Sequence, residues 1–344
     1  MRRYQLILFL LLVITCLNST ADYRSEIVEI NSQKLNITFW SDSDIAIDRH
    51  SSNAKLTSTV VLLSGPTDNW NSDSAWYARL APKLAKTHRV LTIDRAGQIL
   101  ANPNAKVGYA QFGNDLNQLF EHLKLKNITL VSFASANLAL NQFFSMNTTT
   151  SVKSVIMIDP DVLLPSAITR YTRDALPFKQ KLIKYTSYID SGKYNQRALQ
   201  KNQSELAQLK KLSAGDADTD WDYINDIFSK RLELVNLKNL FREIAIYEDD
   251  LKIAASKKFP QNIPLTIIDT NFEQRYIETS IEHSSGDKEI EDLRAWRKEA
   301  RQYYMQLVES SLSKPSERNR YIQLPTTEHL IPFSQPELII ELIE

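Results

Sequence analysis

Residues 128–144 of this chain read ITLVSFASANLALNQFF, and they decide its fold. The first six are apolar or β-branched, as in a β-strand that is buried on both faces. The last seven carry leucine and phenylalanine at helical spacing, and small side chains surround the junction at Ser132, Ala134, Ser135 and Ala136. The stretch therefore predicts a strand that turns sharply into a helix, the repeating unit of an α/β sheet.

Further apolar runs of strand length lie on both sides of this stretch, at residues 59–63, 89–93, 154–158, 264–268 and 320–324. Predicted helices follow several of them, at residues 75–86, 111–123, 293–311 and 336–343. This alternation is typical of an α/β fold with a mostly parallel sheet flanked by helices. Two earlier runs, 26–30 and 35–40, alternate apolar with polar residues and predict an antiparallel hairpin with one face in solvent.

The alternation is interrupted between residues 161 and 258, where the sequence is charged and helical and contains no convincing strand. Segments 179–189 and 224–248 are its clearest helices. An insertion at this point predicts a helical cap over the carboxyl edge of the sheet, where open α/β folds place their sites. The predicted division is an α/β core of residues 22–160 and 259–344 with a cap of residues 161–258.

The N-terminal residues have the features of an export signal. Arg2 and Arg3 precede an apolar run at residues 6–17, and small residues follow at 19–21. A run this short with a basic start predicts a signal peptide of residues 1–21, and therefore a periplasmic or secreted protein. Cys16, the single cysteine, sits in a loose lipobox-like context, so a lipid anchor there is the alternative.

Composition excludes several classes of partner. The chain has 41 basic and 41 acidic residues, which provides no general attraction to nucleic acid or anionic lipid. Seven glycines in 344 residues form no phosphate-binding loop. The histidines lack metal-ligand spacing. We therefore expect no cofactor, no metal and no nucleic-acid partner, with membrane contact only through residues 1–21 or Cys16; the oligomeric state is not predicted.

Six short motifs occur in the order in which they occur in the α/β hydrolases, and the chain resembles the capped branch with a D-R-A-G turn. The resemblance covers residues 60 to the C terminus except the insertion. It rests on VVLLSGP at 60–66, IDRAG at 93–97, LVSFASAN at 130–137, IDP at 158–160, IPL at 263–265, and EHLI at 328–331 with QPE at 335–337. The resemblance implies an ester or acyl hydrolase ancestry, with the elbow that carries the nucleophile at 130–137.

The elbow departs from the family pattern. The residues two before and two after the nucleophile must be small, because strand and helix nearly touch there. Ser132 and Ala136 meet this demand, which puts Ala134 at the nucleophile position. A shift by one residue would place Ser135 there, with Phe133 and Asn137 in the narrow flanking positions.

The oxyanion loop, identified by the resemblance as Gly65, Pro66 and the backbone of Ser135, shows a second departure. The residue after Gly65 normally lends a backbone N–H to the developing oxyanion. Pro66 has none. Thr67 or a side-chain hydroxyl could substitute.

The resemblance assigns the catalytic base to His329. Its carboxylate partner is either Asp159, at the end of a predicted strand, or Glu273, near the usual position after the cap; Asp269 and Asp161 are lesser alternatives. Asp94 and Arg95 are expected to hold a loop together as an ion pair.

These features predict an exported α/β-hydrolase-fold protein that has lost its nucleophile, a pseudoenzyme that binds a small hydrophobic or ester-like ligand under the cap. The alternative is an active serine ester or amide hydrolase that uses Ser135 with His329 and Asp159 or Glu273. A third hypothesis is a protein-binding surface on the cap, with the old pocket closed.

Overall fold

The computed structural model describes residues 23–40, 58–67, 69–146, 150–283, 286–310 and 319–344. The predicted signal peptide and Cys16 lie outside these residues. Within the described ranges, the structure has no helix that is both long and apolar enough to cross a membrane.

A single eight-stranded sheet forms the centre of the described part of the chain, with the strand order β1-β2-β4-β3-β5-β6-β7-β8. Strands β1, β2 and β4 pair antiparallel, and the strands from β4 to β8 pair parallel. The strands are β1 Tyr23–Ile30, β2 Gln33–Trp40, β3 Thr59–Leu63, β4 Arg89–Asp94, β5 Ile128–Phe133, β6 Val152–Ile158, β7 Leu265–Asp269 and β8 Arg320–Gln323. The predicted mostly parallel α/β sheet is confirmed.

The N-terminal hairpin differs from its prediction in one respect. β2 is hydrogen-bonded to β1 on one side and to β4 on the other, so it is an inner strand. Nearly all its residues are buried, whereas β1 at the edge keeps the alternating pattern. The expectation of one solvent-exposed face is therefore wrong for β2, because Leu35, Ile37 and Phe39 join the core cluster on one face of the sheet and Trp40 joins the cluster on the other.

Each face of the sheet carries its own apolar core. On β3, Val61 and Leu63 belong to one cluster and Val60 and Leu62 to the other, as the two-residue period of a strand requires. Helices α2 Tyr109–His122 and α3 Ala136–Ser145 cover the first face. On the second face lie a 3-10 turn at Ser74–Tyr77, then α1 Leu80–Leu84, α10 Ile331–Ser334 and α11 Pro336–Ile343.

Between β6 and β7 the chain forms four helices: α4 Pro165–Asp190, α5 Asn195–Ser213, α6 Trp221–Arg231 and α7 Leu234–Ala255. The predicted helix at 224–248 is in fact two, because Glu233 is extended at φ −65° and ψ 132°. The side chain of Asn236 donates to the carbonyl of Lys230 at 2.8 Å and closes the end of α6. The division into core and cap remains a prediction.

Helices α6 and α7 join the cores on opposite faces of the sheet. Tyr223 and Phe228 of α6 lie in the second cluster, while Ile244 and Leu251 of α7 lie in the first. After β7 come α8 Glu273–Glu282 and α9 Asp287–Ser310. The inserted helices are therefore packed into the sheet as well as over its edge.

Asp94 and Arg95 do not pair with each other, contrary to expectation. Asp94 accepts from the backbone and hydroxyl of Ser74, at 2.7 and 2.8 Å. Arg95 forms a buried ion pair with Glu243 of α7 and donates to the carbonyl of Ser64 at 3.1 Å. Arg95 thus connects the loop after β3 to an inserted helix.

Candidate active site

The turn between β5 and α3 is centred on Ala134. Ala134 has φ 48°, in the left-handed region that L-residues rarely adopt, whereas Ser135 has φ −61°. The backbone N–H of Ala134 donates to the carbonyl of Ile158 at 2.9 Å, which holds the turn against the end of β6. The elbow position is therefore occupied by a methyl group, which cannot act as a nucleophile.

His329 lies beside Asp159. Its Nδ1 is 2.7 Å from Oδ2 of Asp159, whose side chain is 0% exposed. The backbone N–H and the hydroxyl of Thr270 donate to the same carboxylate at 2.8 and 2.5 Å. The imidazole is held between the rings of Phe133 and Phe272, at centroid distances of 4.6 and 4.4 Å. With its proton on Nδ1 facing the carboxylate, the ring presents Nε2 as a base.

Glu273, the other predicted partner, is not paired with His329. It lies at the start of α8, 2% exposed. Burial, with the negative charges of Asp159 and Asp269, raises the pKa of Glu273 to about 8. Asp269, a lesser alternative, accepts instead from the hydroxyl of Tyr321 at 2.5 Å. Asp159 takes the position because it directly follows β6, next to the elbow at the end of β5.

The hydroxyl of Ser135 belongs to a different group of residues. Its Oγ is 2.8 Å from Oη of Tyr247, and the Tyr247 hydroxyl donates to Oδ2 of Asp161 at 2.5 Å. Burial raises the pKa of Asp161 to about 6, although the hydrogen bonds from Tyr247 and Ser135 act to lower this pKa. Because the Tyr247 proton goes to Asp161, the Ser135 proton is left for the Tyr247 oxygen or for the Asp161 carboxylate, with which Ser135 is also hydrogen-bonded.

The oxyanion loop lacks backbone donors where the family pattern needs one. Pro66 has no N–H, and the N–H of Thr67, a suggested substitute, donates to the carbonyl of Asn71 at 3.1 Å. Pro66, Thr67 and Ser135 all line the same cavity. The backbone of Ser135 therefore remains from the predicted set, together with side-chain hydroxyls.

A cavity of about 1100 Å³ opens above the elbow and contains Ala134, Ser135, Asp159, Asp161 and His329 in its wall. Much of the wall is aromatic: Trp70, Tyr171, Tyr247, Phe272, Trp296 and Tyr304. Among the described residues, no cluster of three or more His, Cys, Asp or Glu side chains could hold a metal ion.

The mouth of the cavity lies between α4 and α9. Its charged residues are mostly exposed and mixed in sign: Arg170, Arg173, Asp174, Lys288, Glu289 and Asp292. Arg170 donates to the carbonyl of Asp292 at 2.9 Å and lies over the ring of Trp296 at 5.2 Å. Helices α8 and α9 thus help to cover the site, and in the described structure α5 and α6 contribute nothing to its wall.

Sequence reasoning missed Tyr247, Thr270 and Phe272. Tyr247 is 112 residues from Ser135 along the chain, and its place on an amphipathic helix indicates burial but no partner. Thr270 directly follows the Asp269 that ends β7, and polar residues at the ends of neighbouring parallel strands meet at one edge. That signal could have identified Thr270.

The sequence matches no protein-family model and no curated protein, but solved structures resemble the whole fold. An α/β-hydrolase-fold protein from Burkholderia ambifaria is 13% identical, with 92% of this chain and 96% of that chain covered, at a TM-score of 0.52. The Cif epoxide hydrolase from Acinetobacter nosocomialis is 12% identical, with 94% of this chain and 89% of that chain covered, at a TM-score of 0.54. The enol-lactonase from Burkholderia xenovorans is 13% identical, with 92% of this chain and 99% of that chain covered, at a TM-score of 0.52. Together with the strand order and the elbow, these likenesses show that the chain has the α/β-hydrolase fold.

Proposed function

We propose that this protein binds a small, largely apolar ligand in the cavity above Ala134 and does not hydrolyse esters through a serine. The observation that carries the proposal is the left-handed φ of 48° at Ala134. It makes Ala134 the elbow residue, and an alanine there leaves the histidine–aspartate pair without a group to activate.

The oxyanion loop supports the same conclusion. A serine hydrolase stabilises its tetrahedral intermediate with two N–H donors, and loss of one costs about 10² to 10³ in rate. Pro66 cannot donate, and the N–H of Thr67 is bonded to Asn71. The missing nucleophile at Ala134 and the missing N–H donor at Pro66 therefore affect the same reaction centre.

The cavity fits the binding of a ligand. Ligand pockets typically measure about 300 to 1000 Å³ and combine apolar walls with a few polar groups. This cavity measures about 1100 Å³, has aromatic walls, and contains the polar groups of Ser135, Asp161 and His329. A cavity of this size argues against the hypothesis that the old pocket is closed.

The alternative of a Ser135 hydrolase is less well supported. Ser135 has the helical φ of −61°, and its hydroxyl is bonded to Tyr247. An activated serine needs a hydrogen bond to its base. Export by residues 1–21, or anchoring at Cys16, is part of the proposal and rests on sequence pattern alone.

A test uses 2-methylnaphthalene as the probe and protein labelled with ¹⁵N at tryptophan. Trp70 and Trp296 line the cavity, whereas Trp221 packs on Phe333 outside it. We expect saturable shifts of the Trp70 and Trp296 indole signals, assigned with W70F and W296F, and none for Trp221. The same protein should hydrolyse p-nitrophenyl butyrate no faster than buffer. Absence of binding, or ester turnover that S135A abolishes, would contradict the proposal.

A further inference from the structure

We propose that Ser135, Tyr247 and Asp161 form a binding site for a carbonyl oxygen, and that with His329 they let the protein enolise a small ketone held in the cavity. The inference rests on the proposed function, because it concerns the ligand of the same cavity. It gives a use to the hydroxyl group of Ser135 and to a histidine that has no nucleophile to activate.

The three side chains form a continuous hydrogen-bonded chain in the cavity wall. Ser135 Oγ is 2.8 Å from Tyr247 Oη, which is 2.5 Å from Asp161 Oδ2. The side chain of Asn137 fixes the backbone of Asp161 through bonds of 3.0 and 3.2 Å. The ring of Trp70 packs edge-on against Tyr247 at 5.5 Å. The cluster is therefore held in place before a ligand arrives, as a preorganised site requires.

The protonation state of Asp161 determines when this cluster can donate a hydrogen bond to a ligand. With Asp161 ionised, both hydroxyl protons are held inside the cluster, that of Tyr247 by Asp161 and that of Ser135 by Tyr247 or Asp161. With Asp161 protonated, the cluster gains a third proton and loses the negative charge that holds the two hydroxyl protons, so one hydroxyl can turn to donate to an oxygen in the cavity. Burial raises the pKa of Asp161 to about 6, so this neutral form is the main one below pH 6 and a minority form at pH 7. A tyrosine coupled to a protonated carboxyl in an apolar site is an effective donor to an enolate oxygen.

His329 supplies the base. Its Nδ1 faces Asp159, and the residue lines the same cavity as the hydroxyl cluster. Nε2 would take a proton from the carbon next to the carbonyl, and the C–H electron pair would become the C=C bond of the enolate. The carbonyl oxygen then carries the negative charge and accepts the spare proton of the cluster as a hydrogen bond. Return of a proton from His329 to carbon restores the ketone, so no co-reactant is consumed.

The missing nucleophile suits this chemistry. A serine at position 134 could add to a bound carbonyl carbon, whereas the methyl group of Ala134 cannot. Aromatic walls at Trp70, Phe272 and Trp296 favour a ketone with an apolar or aromatic body. The ligand class is therefore a small, mainly apolar ketone with hydrogen on the adjacent carbon.

The proposed carbonyl-oxygen site is tested with two probes of the same shape. 2-Naphthol is a stable enol, and 2-methylnaphthalene lacks the oxygen. In a site without hydrogen-bond partners, burial of the hydroxyl would weaken binding of 2-naphthol. We expect 2-naphthol to bind at least about tenfold more tightly than 2-methylnaphthalene by calorimetry. Y247F and S135A should each weaken the binding of 2-naphthol far more than that of 2-methylnaphthalene, and so remove most of that preference. Y188F, at an exposed tyrosine outside the cavity, should change neither.

The reaction half is tested with 1-phenylpropan-2-one in D₂O. We expect wild type to exchange the hydrogens next to the carbonyl about 10² times faster than buffer, measured by proton NMR, as general acid–base catalysis typically allows. H329A should return the rate to that of buffer, and Y247F should lower it at least tenfold. H122A, at an exposed histidine of α2, is the matched control.

The outcomes separate this inference from the function on which it rests. If 2-methylnaphthalene binds but 2-naphthol binds no better, the carbonyl site is wrong and the proposed function stands. If neither probe binds, both are wrong. A preference for 2-naphthol that Y247F and S135A leave intact, or exchange no faster than in buffer, would also overturn the inference.

Discussion

Gly65 and Ser135 meet backbone to backbone. A side-chain carbon on Gly65 would lie 2.6 Å from the backbone nitrogen of Ser135 and 2.2 Å from the carbonyl oxygen of Phe133. Neither contact can be relieved by a flexible side chain, because both atoms belong to the main chain. The loop after β3 and the elbow after β5 are therefore packed as a hydrolase scaffold requires, although the elbow carries alanine.

The first prediction concerns this contact. Gly65→Ala should lower the free energy of unfolding by about 1 to 3 kcal/mol, as overpacking typically does, because the loop and the elbow must separate. Urea unfolding followed by circular dichroism measures the change. Gly286→Ala, where an added carbon meets nothing within 4 Å, is the control and should be near neutral. Equal stability of the two variants would show that the contact is less constrained than described.

The second prediction concerns the buried pair of Arg95 and Glu243. Glu243→Gln removes the negative charge but keeps the volume, and leaves the Arg95 guanidinium buried at 3% exposure without its counter-ion. Breaking a buried pair in this way costs about 3 to 5 kcal/mol. The exposed pair of Lys238 and Asp190 is the comparison, and Asp190→Asn should cost less than about 1 kcal/mol. Similar losses for both variants would contradict a stabilising role for Arg95 with Glu243.

The third prediction is a pH dependence from Glu273. Its pKa rises from an ordinary 4.5 to about 8 in the fold, through burial and the charges of Asp159 and Asp269, with Arg301 acting in the opposite direction. The native state therefore holds this proton more tightly than the unfolded state. Its contribution to stability is complete below pH 4.5 and is lost as the pH rises towards 8.

The measurement compares wild type with Glu273→Gln. Between pH 5 and pH 8 the free energy of unfolding of wild type should fall more steeply, by on the order of a few kcal/mol, because one unit of pKa corresponds to about 1.4 kcal/mol. Asp161, Asp94 and Asp250 also have raised pKa values, but they are present in both proteins. Parallel curves would show that Glu273 is not held in its protonated form.

The fourth prediction concerns Pro66. In an Ala134→Ser background, Pro66→Ala restores a backbone N–H directly after Gly65, at a residue that lines the cavity. Since one oxyanion donor is worth about 10² to 10³ in rate, the double variant should hydrolyse p-nitrophenyl butyrate that much faster than Ala134→Ser alone. Pro66→Ala in wild type is the control and should gain no ester hydrolysis. Equal rates with and without the N–H would show that position 66 does not face the oxyanion.

The strands of the sheet could be predicted from the sequence because buried parallel strands are continuous apolar runs. The bounds of β3 and β5 coincide with their prediction, and β6 and β7 shift by one or two residues. The contact between Asp159 and His329 could also be predicted from the sequence. Asp159 directly follows β6, and β6 is paired with β5, whose end carries the elbow.

Contacts made by the inserted helices could not be read in the same way. Tyr247 reaches Ser135, and Glu243 reaches Arg95, over separations of 112 and 148 residues. Periodicity indicates which face of α7 is buried, but it gives neither the face of the sheet that α7 covers nor the polar group it meets. The pairing of Arg95 with Glu243 was missed for this reason.

Ala134 occupies the nucleophile position beside a retained histidine–aspartate pair, and this assignment is central to the proposed function. Its most direct test is labelling with a fluorophosphonate, which reacts with activated serines, followed by peptide mass mapping of wild type, Ala134→Ser, and Ala134→Ser with His329→Ala. Ala207→Ser, at an exposed alanine of α5, is the matched control. We predict a label at residue 134 in Ala134→Ser alone. A label at Ser135 in wild type, lost on His329→Ala, or a folded Ala134→Ser protein that stays unlabelled, would contradict the account.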